Sequence, residues 1–488
     1  MLEDIRNERL KKLNLLKEKK IDPYPAVTAR DFSIQKMLAD FTTLESSKKT
    51  VAIAGRIISK RDQGAITFLD LFDGSAKMQV LVKEGVGSFN SEHYQEFLAV
   101  VDIGDFIKVS GTCFVTKRGE KTVEADTWAM LTKSLLPLPE KWHGLQDPEE
   151  RYRKRYLDIL MDEKVRELFV KKSRFWQSVR EFMNSEGFME VETPILESSP
   201  GGADAEPFVT HLKALDIDLY LRISPELYLK RMMVAGFDKV FEIGRIFRNE
   251  GIDREHLQDY TELEFYWAYA DHTMLKETVE RLYKKVIRDT LGTLEHEYNG
   301  KKIDWGGMWQ TYDYYECMKT HAGIDLSSVN ETKLRAKARE LGLEPEKHIG
   351  WGRVVDLIFK KAVRPHLIAP GFLVYPPADI EPLAKRMDTD PERVCRFQVV
   401  AGGTELGKGF SELNDPLDQR KRMEEQVKLR EAGDKEAQRL DMDFIEALEY
   451  GMPPAAGFGL SERLFAVLVD KPVRETTYFP LMRPKKIS

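Results

Sequence analysis

The chain has 488 residues, too many for one ordinary domain, and should fold as two or three. Its 42% hydrophobic and 32% charged residues describe a soluble globular protein, and a formal net charge of -6 argues against a general nucleic-acid coat while allowing a local basic surface. Three cysteines (Cys113, Cys317, Cys395) without metal-ligand spacing argue against a disulfide framework or a zinc site, and read as reduced thiols in a cytoplasmic protein. No apolar run approaches the roughly 18 residues that cross a bilayer, so no membrane association is expected.

The first residues, MLEDIRNERLKKLNLLKEKK, are highly charged without an apolar core; they read as a solvated helix ended by IDPYP, not as a signal peptide, and 1–48 is assigned to this helix and an extended segment. From about Lys49 short strands succeed one another: VAIAGRIISKR, AITFLDLFDG and AKMQVLVKEG, a helical SEHYQEFLAVV, then GDFIKVSGTCFVT and EKTVEADTWAML. Five strands with a helix between the third and fourth fit an OB-type barrel over 49–135. Alternation along ITFLDLF puts Ile66, Phe68 and Asp70 on one face and Thr67, Leu69 and Leu71 on the other. Phe68 is then either a base-stacking platform or a core filler. SLLPLPEKWHGLQDPEERYRKRYLDIL has linker composition and is assigned to 136–160. Beyond it, Asp162 to Phe188 carries apolar residues at helical spacing, stopping at Gly187. The remainder, 161–488, alternates long helices and strands, many in hairpins. The fold class expected is α+β, an antiparallel sheet flanked by helices. The charged stretch Leu417 to Arg439 reads as a solvated helix.

FEIGRIFRNEGIDREHLQDYTELEFYWAY, Phe241 to Tyr269, predicts a hairpin. Period two places Glu242, Arg248 and Glu250 on one face of its first arm, and Glu262, Glu264 and Tyr266 on one face of its second. If these faces meet, a guanidinium fork suited to carboxylate or phosphate lies beside carboxylates suited to an ammonium. Both needs together describe a zwitterionic amino acid beside a nucleotide. Otherwise the charges form a surface ion-pair ladder of little energetic weight.

FRNEG with the following REH and acidic-aromatic strand resembles motif 2 of the class II aminoacyl-tRNA synthetases. GFMEVETPIL with Pro194 is similar to their motif 1, and GFGLSERLFAVL with Arg463 to their motif 3. The segments PGGADAEPFVTH, LYLRISPELYLKR, ELGKGFSELNDP and FPLMRP resemble the lysyl-tRNA synthetases, and the resemblance covers nearly the whole chain. It implies ATP-dependent activation of L-lysine to lysyl-adenylate, transfer of lysine to the 3′ end of tRNA(Lys), Mg²⁺ (up to three ions with ATP) and a homodimer. By this resemblance Arg248 bridges the lysine carboxylate and the α-phosphate. Glu250 and His256 contact ATP, Tyr260 stacks on adenine, and Arg463 covers the opposite face or the γ-phosphate. Gly202, Glu226 and Glu264 meet the amino-group region; Tyr266 and Glu412 meet the side-chain ammonium. Glu405 and Glu412 hold Mg²⁺ on the phosphates, although a flat strand would place them on opposite faces unless Gly407 and Gly409 bend it. Ser224 as N-cap and Pro225 at the first helical position would fix Glu226 rigidly. On the barrel, Arg56 and Gln79 flank Phe68 as an anticodon-reading surface.

Four departures stand out. Gln398, in CRFQVV, occupies a position where the family usually has a metal-binding glutamate; Lys408 replaces a common asparagine; motif 3, GFGLSER, has fewer glycines than usual though Glu462 and Arg463 keep the acid-arginine pair; and the motif 2 loop lacks the familiar Asn-Pro after its histidine. An aspartyl- or asparaginyl-tRNA synthetase shares the motifs but would need a cationic side-chain pocket. A non-catalytic RNA-binding paralogue would be expected to lose Arg248, Arg463 or Glu405, and a lysine-to-protein ligase on the same catalytic domain would lack the OB barrel.

Overall fold

A computed structural model describes residues 2–139, 145–346, 349–434 and 436–485. The chain divides into two compact units, Met1–Arg151 and Tyr152–Ser488. The first contains β1 (Val51–Gln63), β2 (Ile66–Phe72), β3 (Lys77–Lys83), β4 (Phe106–Val115) and β5 (Lys121–Thr132), closed into a barrel in the order β1-β2-β3-β5-β4. The helix Ser91–Val100 lies between the third and fourth strands, as expected, with Asn90 capping it through the His93 amide.

Alternation decides what this barrel shows to water. Thr67, Leu69 and Leu71 are buried in its core, whereas Ile66, Phe68 and Asp70 are only half buried. Phe68 is therefore on the outer face and is not a core filler. The N-terminal helix Leu2–Glu18 is less solvated than its composition suggests. It buries Leu13 and Leu16, and Arg9 donates to the carbonyls of Ile103, Ser134 and Leu136. Beneath it Lys133 is fully buried and donates to Asp102 (2.6 Å), Asp105 (2.8 Å) and the Val100 carbonyl (2.7 Å).

In the second unit the helix Arg155–Met161, which reads as linker, is already part of the fold: Arg155 is buried and pairs with Asp158 at 2.6 Å. Glu140–Gly144 of that linker lie outside the described residues. The early strands are β6 (Met189–Glu190), β7 (Leu196–Glu197), β8 (Val209–Leu212), β9 (Ile217–Leu221), β10 (Lys239–Phe247) and β11 (Asp259–Ala268). The hairpin β12 (Glu295–Tyr298) and β13 (Lys301–Asp304) follows, then β14 (Gln310–Asp313), β15 (Gly371–Val374), β16 (Arg396–Ala401), β17 (Thr404–Ser411) and β18 (Ala455–Ser461). Eight of these form one sheet in the order β14-β15-β16-β17-β18-β11-β10-β6. Its interior pairs are antiparallel, but both outermost pairs, β14 with β15 and β6 with β10, are parallel. The sheet is thus mixed at its edges.

Period two splits this sheet into a dry and a wet face. Leu263, Phe265, Phe397, Val399, Phe458 and Leu460 pack under the helices Glu163–Ser185 and His272–Leu291, which contribute Phe175, Val179, Leu275 and Leu282. Asp162 caps the first of these helices and Asp271 the second, each through its side chain. Gln398, Gly457, Gly459, Glu264 and Tyr266, the alternate residues of the same strands, face a cavity. The helix Pro416–Glu431, read as solvated, borders that cavity and buries Gln419, Arg422 and Met423.

Removing Lys133 leaves the buried Asp105 without its cation, while Asp102 keeps Lys12, and an unpaired buried carboxylate costs about 3 kcal/mol or more. Lys133→Ala is therefore expected to accelerate hydrogen exchange of the barrel amides about 100-fold; unchanged protection would show the triad to be energetically idle.

Candidate functional site

The cavity of the second unit has a volume of about 1120 Å³. Its floor is glycine: at Gly457 a Cβ would meet Tyr266 and Glu412 at 2.4–2.5 Å, and at Gly459 one would meet Glu262 at 3.2 Å. Side chains on β18 are thereby excluded, and a ligand can lie directly on the backbone. A second close approach occurs at Gly202, with φ +84° and Glu226 and Ser224 within 3 Å of any added Cβ.

The predicted hairpin exists with Glu242 opposite Glu264 and Ile246 opposite Tyr260. Its first strand stops at Phe247, and Arg248 continues the pairing by donating its amide to Gln258. Arg248, Glu250, Glu262, Glu264 and Tyr266 all line the cavity, so the two faces do meet. Glu242 does not belong with them: it is buried against Arg222 (2.6 Å) and Thr193. The Arg248 side chain donates to the Ile223 carbonyl and stands 5.6 Å from the Tyr260 ring centre. Burial alone would lower its pKa, but Tyr260, Glu262, Glu250 and Glu264 raise it, so the guanidinium is held charged.

The acidic wall is built from a helix start and the second hairpin strand. Ser224 accepts the Glu226 amide and donates to Glu264 (2.6 Å), and Tyr266 donates to the other Glu264 oxygen at 3.0 Å. Burial, then repulsion from Glu262 and Glu226, pushes the Glu264 carboxyl well above the usual range. Glu226 is also raised, chiefly by burial.

Lys230, one helical turn past Glu226, was not anticipated. Its ammonium is fully buried and bridges Glu226 (2.7 Å) and Glu412 (2.5 Å). Burial opposes its charge, but the two carboxylates overcome this and raise its pKa. Glu412 is not itself part of the cavity lining: it lies behind Gly457, with one carboxylate oxygen against Lys230 and the other close under the glycine floor. The spacing of Glu226 and Lys230 in ELYLK is legible as a helical ion pair, but not that a third, distant carboxylate closes it.

Glu405 does line the cavity. A register shift between Val399 and Val400 turns β17, so that Glu405 and Lys408 reach the same space. Gln398 sits directly opposite Lys408, and Lys408 pairs with Glu381, a residue carrying no signal in the sequence. Of the expected metal donors, Glu405 and the amide-bearing Gln398 line the cavity. Among the described residues no cluster of three or more His, Cys, Asp or Glu could hold a metal.

Arg463 opens the helix Arg463–Leu468, donates to the Glu405 carbonyl at 3.4 Å and lines the cavity. Tyr260 borders the same space. His256 is there too, tied to Asp253 at 2.7 Å. On the barrel, Phe68 pairs with Arg61 and Leu81, and Asp70 with Gln79. Arg56 lies on the neighbouring strand at the level of Phe72, with its guanidinium 4.3 Å from the Phe106 ring centre. The three anticipated residues share an outer face, on β1, β2 and β3.

Residues 147–483 match the family described as tRNA synthetases class II (D, K and N), and residues 51–131 match the OB-fold nucleic acid binding domain. The chain is 44% identical to the lysine–tRNA ligase of Pelotomaculum thermopropionicum, over 99% of this chain and 96% of that protein. It is 43% identical to the enzyme of that name in Carboxydothermus hydrogenoformans (99% of each chain), and 40% to that of Thermotoga maritima (100% and 97%).

The raised pKa of Glu264 gives the acidic wall a pH signature. An ammonium ligand favours the carboxylate, so affinity should fall as the pH drops below the pKa of the empty site, by up to about tenfold per pH unit, with a proton released on binding in that range. Calorimetry in two buffers of different ionisation enthalpy measures that proton; a pH-independent affinity with no release would show that Glu264 does not meet the ammonium.

Proposed function

The chain belongs to the class II tRNA synthetases of the aspartate, lysine and asparagine group, and from that premise we propose that it activates L-lysine with ATP and transfers it to tRNA(Lys). The observation that carries the choice of amino acid is the wall of Glu226, Glu264 and Tyr266 beside a glycine floor, with the Arg248 guanidinium lining the same cavity. A diamino acid places an ammonium on that wall and its carboxylate towards the guanidinium. Aspartate or asparagine brings no side-chain ammonium to this wall, a mismatch that can reach about 10⁴-fold in discrimination.

In the first step a lysine carboxylate oxygen attacks the α-phosphorus of ATP and pyrophosphate leaves. In the second a hydroxyl of the tRNA 3′ terminus attacks the acyl carbon and AMP leaves. Arg248, fixed by Ile223 and kept charged by its acidic neighbours, holds the carboxylate and α-phosphate together as negative charge builds. Tyr260 offers its ring to adenine, Arg463 closes the opposite side, and Glu250 and His256 lie within reach of the nucleotide. Mg²⁺ supplies charge neutralisation on the phosphates when bound, with Glu405 as its carboxylate. Gly202 lets the amino-group region approach backbone.

Phe68, Arg56 and Gln79 on the barrel's outer face form the anticodon-reading surface, one aromatic platform with guanidinium and amide donors suited to splayed bases. Exposed apolar side chains near motif 1 and the C-terminus, including Ile195, Leu196 and Phe479, favour a homodimer. Among the described residues no helix is long and apolar enough to cross a membrane, in keeping with a cytoplasmic site of action.

Pyrophosphate exchange across the twenty amino acids should respond to lysine above all others; a preference for aspartate or asparagine would refute the assignment. Arg248→Ala should reduce that exchange by about 10³-fold or more. Phe68→Ala should lower tRNA charging about tenfold and leave exchange intact, since stacking on one base is worth about 1–3 kcal/mol. An equal fall in both would make the barrel a folding support.

A further inference from the structure

The β16–β17 wall of the cavity carries positive charge that the reaction as described does not use. Across the sheet Gln398 pairs with Lys408, Lys408 with Gly459, and Gly459 with Glu264. The Lys408 ammonium therefore stands on the far side of the glycine slot from the acidic wall. Its Nζ lies 3.1 and 3.3 Å from the two Glu381 oxygens, and the same carboxylate meets Arg396 Nε at 3.2 Å. One carboxylate shared by two cations leaves this cluster with a net positive charge. Glu381 and Arg396 are 3% and 8% exposed and so are fixed, whereas the Lys408 side chain, though enclosed by the cavity walls, keeps 41% of its surface accessible. Lys408 is the member that can turn towards a ligand.

The same wall is poor in metal donors. Gln398 offers a neutral amide beside an ammonium that repels any divalent ion, and Glu412 is engaged with Lys230. Glu405 remains on the cavity side. An ammonium with three donors is itself a competent partner for carboxylate and phosphate oxygens.

We propose that Lys408, oriented by Glu381, is a substrate-contacting cation that takes the amino-acid carboxylate and α-phosphate oxygens in place of a second protein-held divalent ion. The site then holds a single Mg²⁺, at Glu405, with its nucleotide. This rests on the ATP-dependent reading above, and the two fail differently: a chain that does not use ATP binds no ATP analogue at all.

The test counts Mn²⁺ by electron paramagnetic resonance on the full-length protein saturated with a non-hydrolysable ATP analogue, and measures analogue affinity against free Mg²⁺ by calorimetry. The wild type should hold one Mn²⁺ per site. K408M should bind the analogue about tenfold more weakly at low free Mg²⁺, K408R should bind as the wild type does, and the Q398E/K408N double variant should acquire a second Mn²⁺. Circular dichroism of K408M and K408R checks folding independently. Two Mn²⁺ ions in the wild type, or a K408M protein with unchanged affinity and Mg²⁺ dependence, would overturn the proposal.

Discussion

The buried bridge of Lys230 with Glu226 and Glu412 is the interaction from which the acidic wall is made. Each of these charges pays heavily for leaving water, and the arrangement survives because each is within hydrogen-bond reach of an opposite charge. Phe410 and Phe444 lie 5.4 and 5.9 Å from the ammonium and complete its surroundings. One cation between two anions leaves a net negative charge under the cavity floor. Burial first, and then the neighbouring charges of Glu262 and Glu226, raise the pKa of Glu264 next door. The acidic groups of the wall are therefore coupled to one another.

The sheet makes the coupling possible by separating solvents. Its alternate residues pack under two long helices on one side and open to the cavity on the other. Strands this regular would normally fill both faces with side chains. Gly457 and Gly459 remove them along one strand, so Glu264 and Lys408 look at each other across bare backbone. A ligand laid there meets an acidic side and a basic side at once, which is the requirement of an amino acid joined to a phosphate.

The basic side differs in kind from the acidic one. Arg248 is locked by the Ile223 carbonyl and by surrounding acids. Lys408 has a long, accessible stem and a single carboxylate partner that it shares with Arg396. In the proposed reaction a rigid guanidinium and a movable ammonium divide the work of positioning and charge neutralisation, with Glu405 left to a metal ion.

Much of this was legible in the sequence. Period-two alternation in ITFLDLF grouped Phe68 with Ile66 and Asp70 but left open whether that face was core or surface; the serine and proline before Glu226 announced the helix that carries it, although Pro225 and not Ser224 takes the cap position; and the motif 2 hairpin was expected, with the meeting of its charged faces left to the register. These features depend on neighbours within a few residues or on one strand pair, and local sequence encodes them. Tertiary structure alone decided that Glu412 answers to Lys230, that Glu242 answers to Arg222, that Glu381 restrains Lys408, and that the strand carrying Glu405 shifts register. A buried charge chooses its partner by proximity in space, and the partners here come from segments distant along the chain, so no spacing rule could have named them.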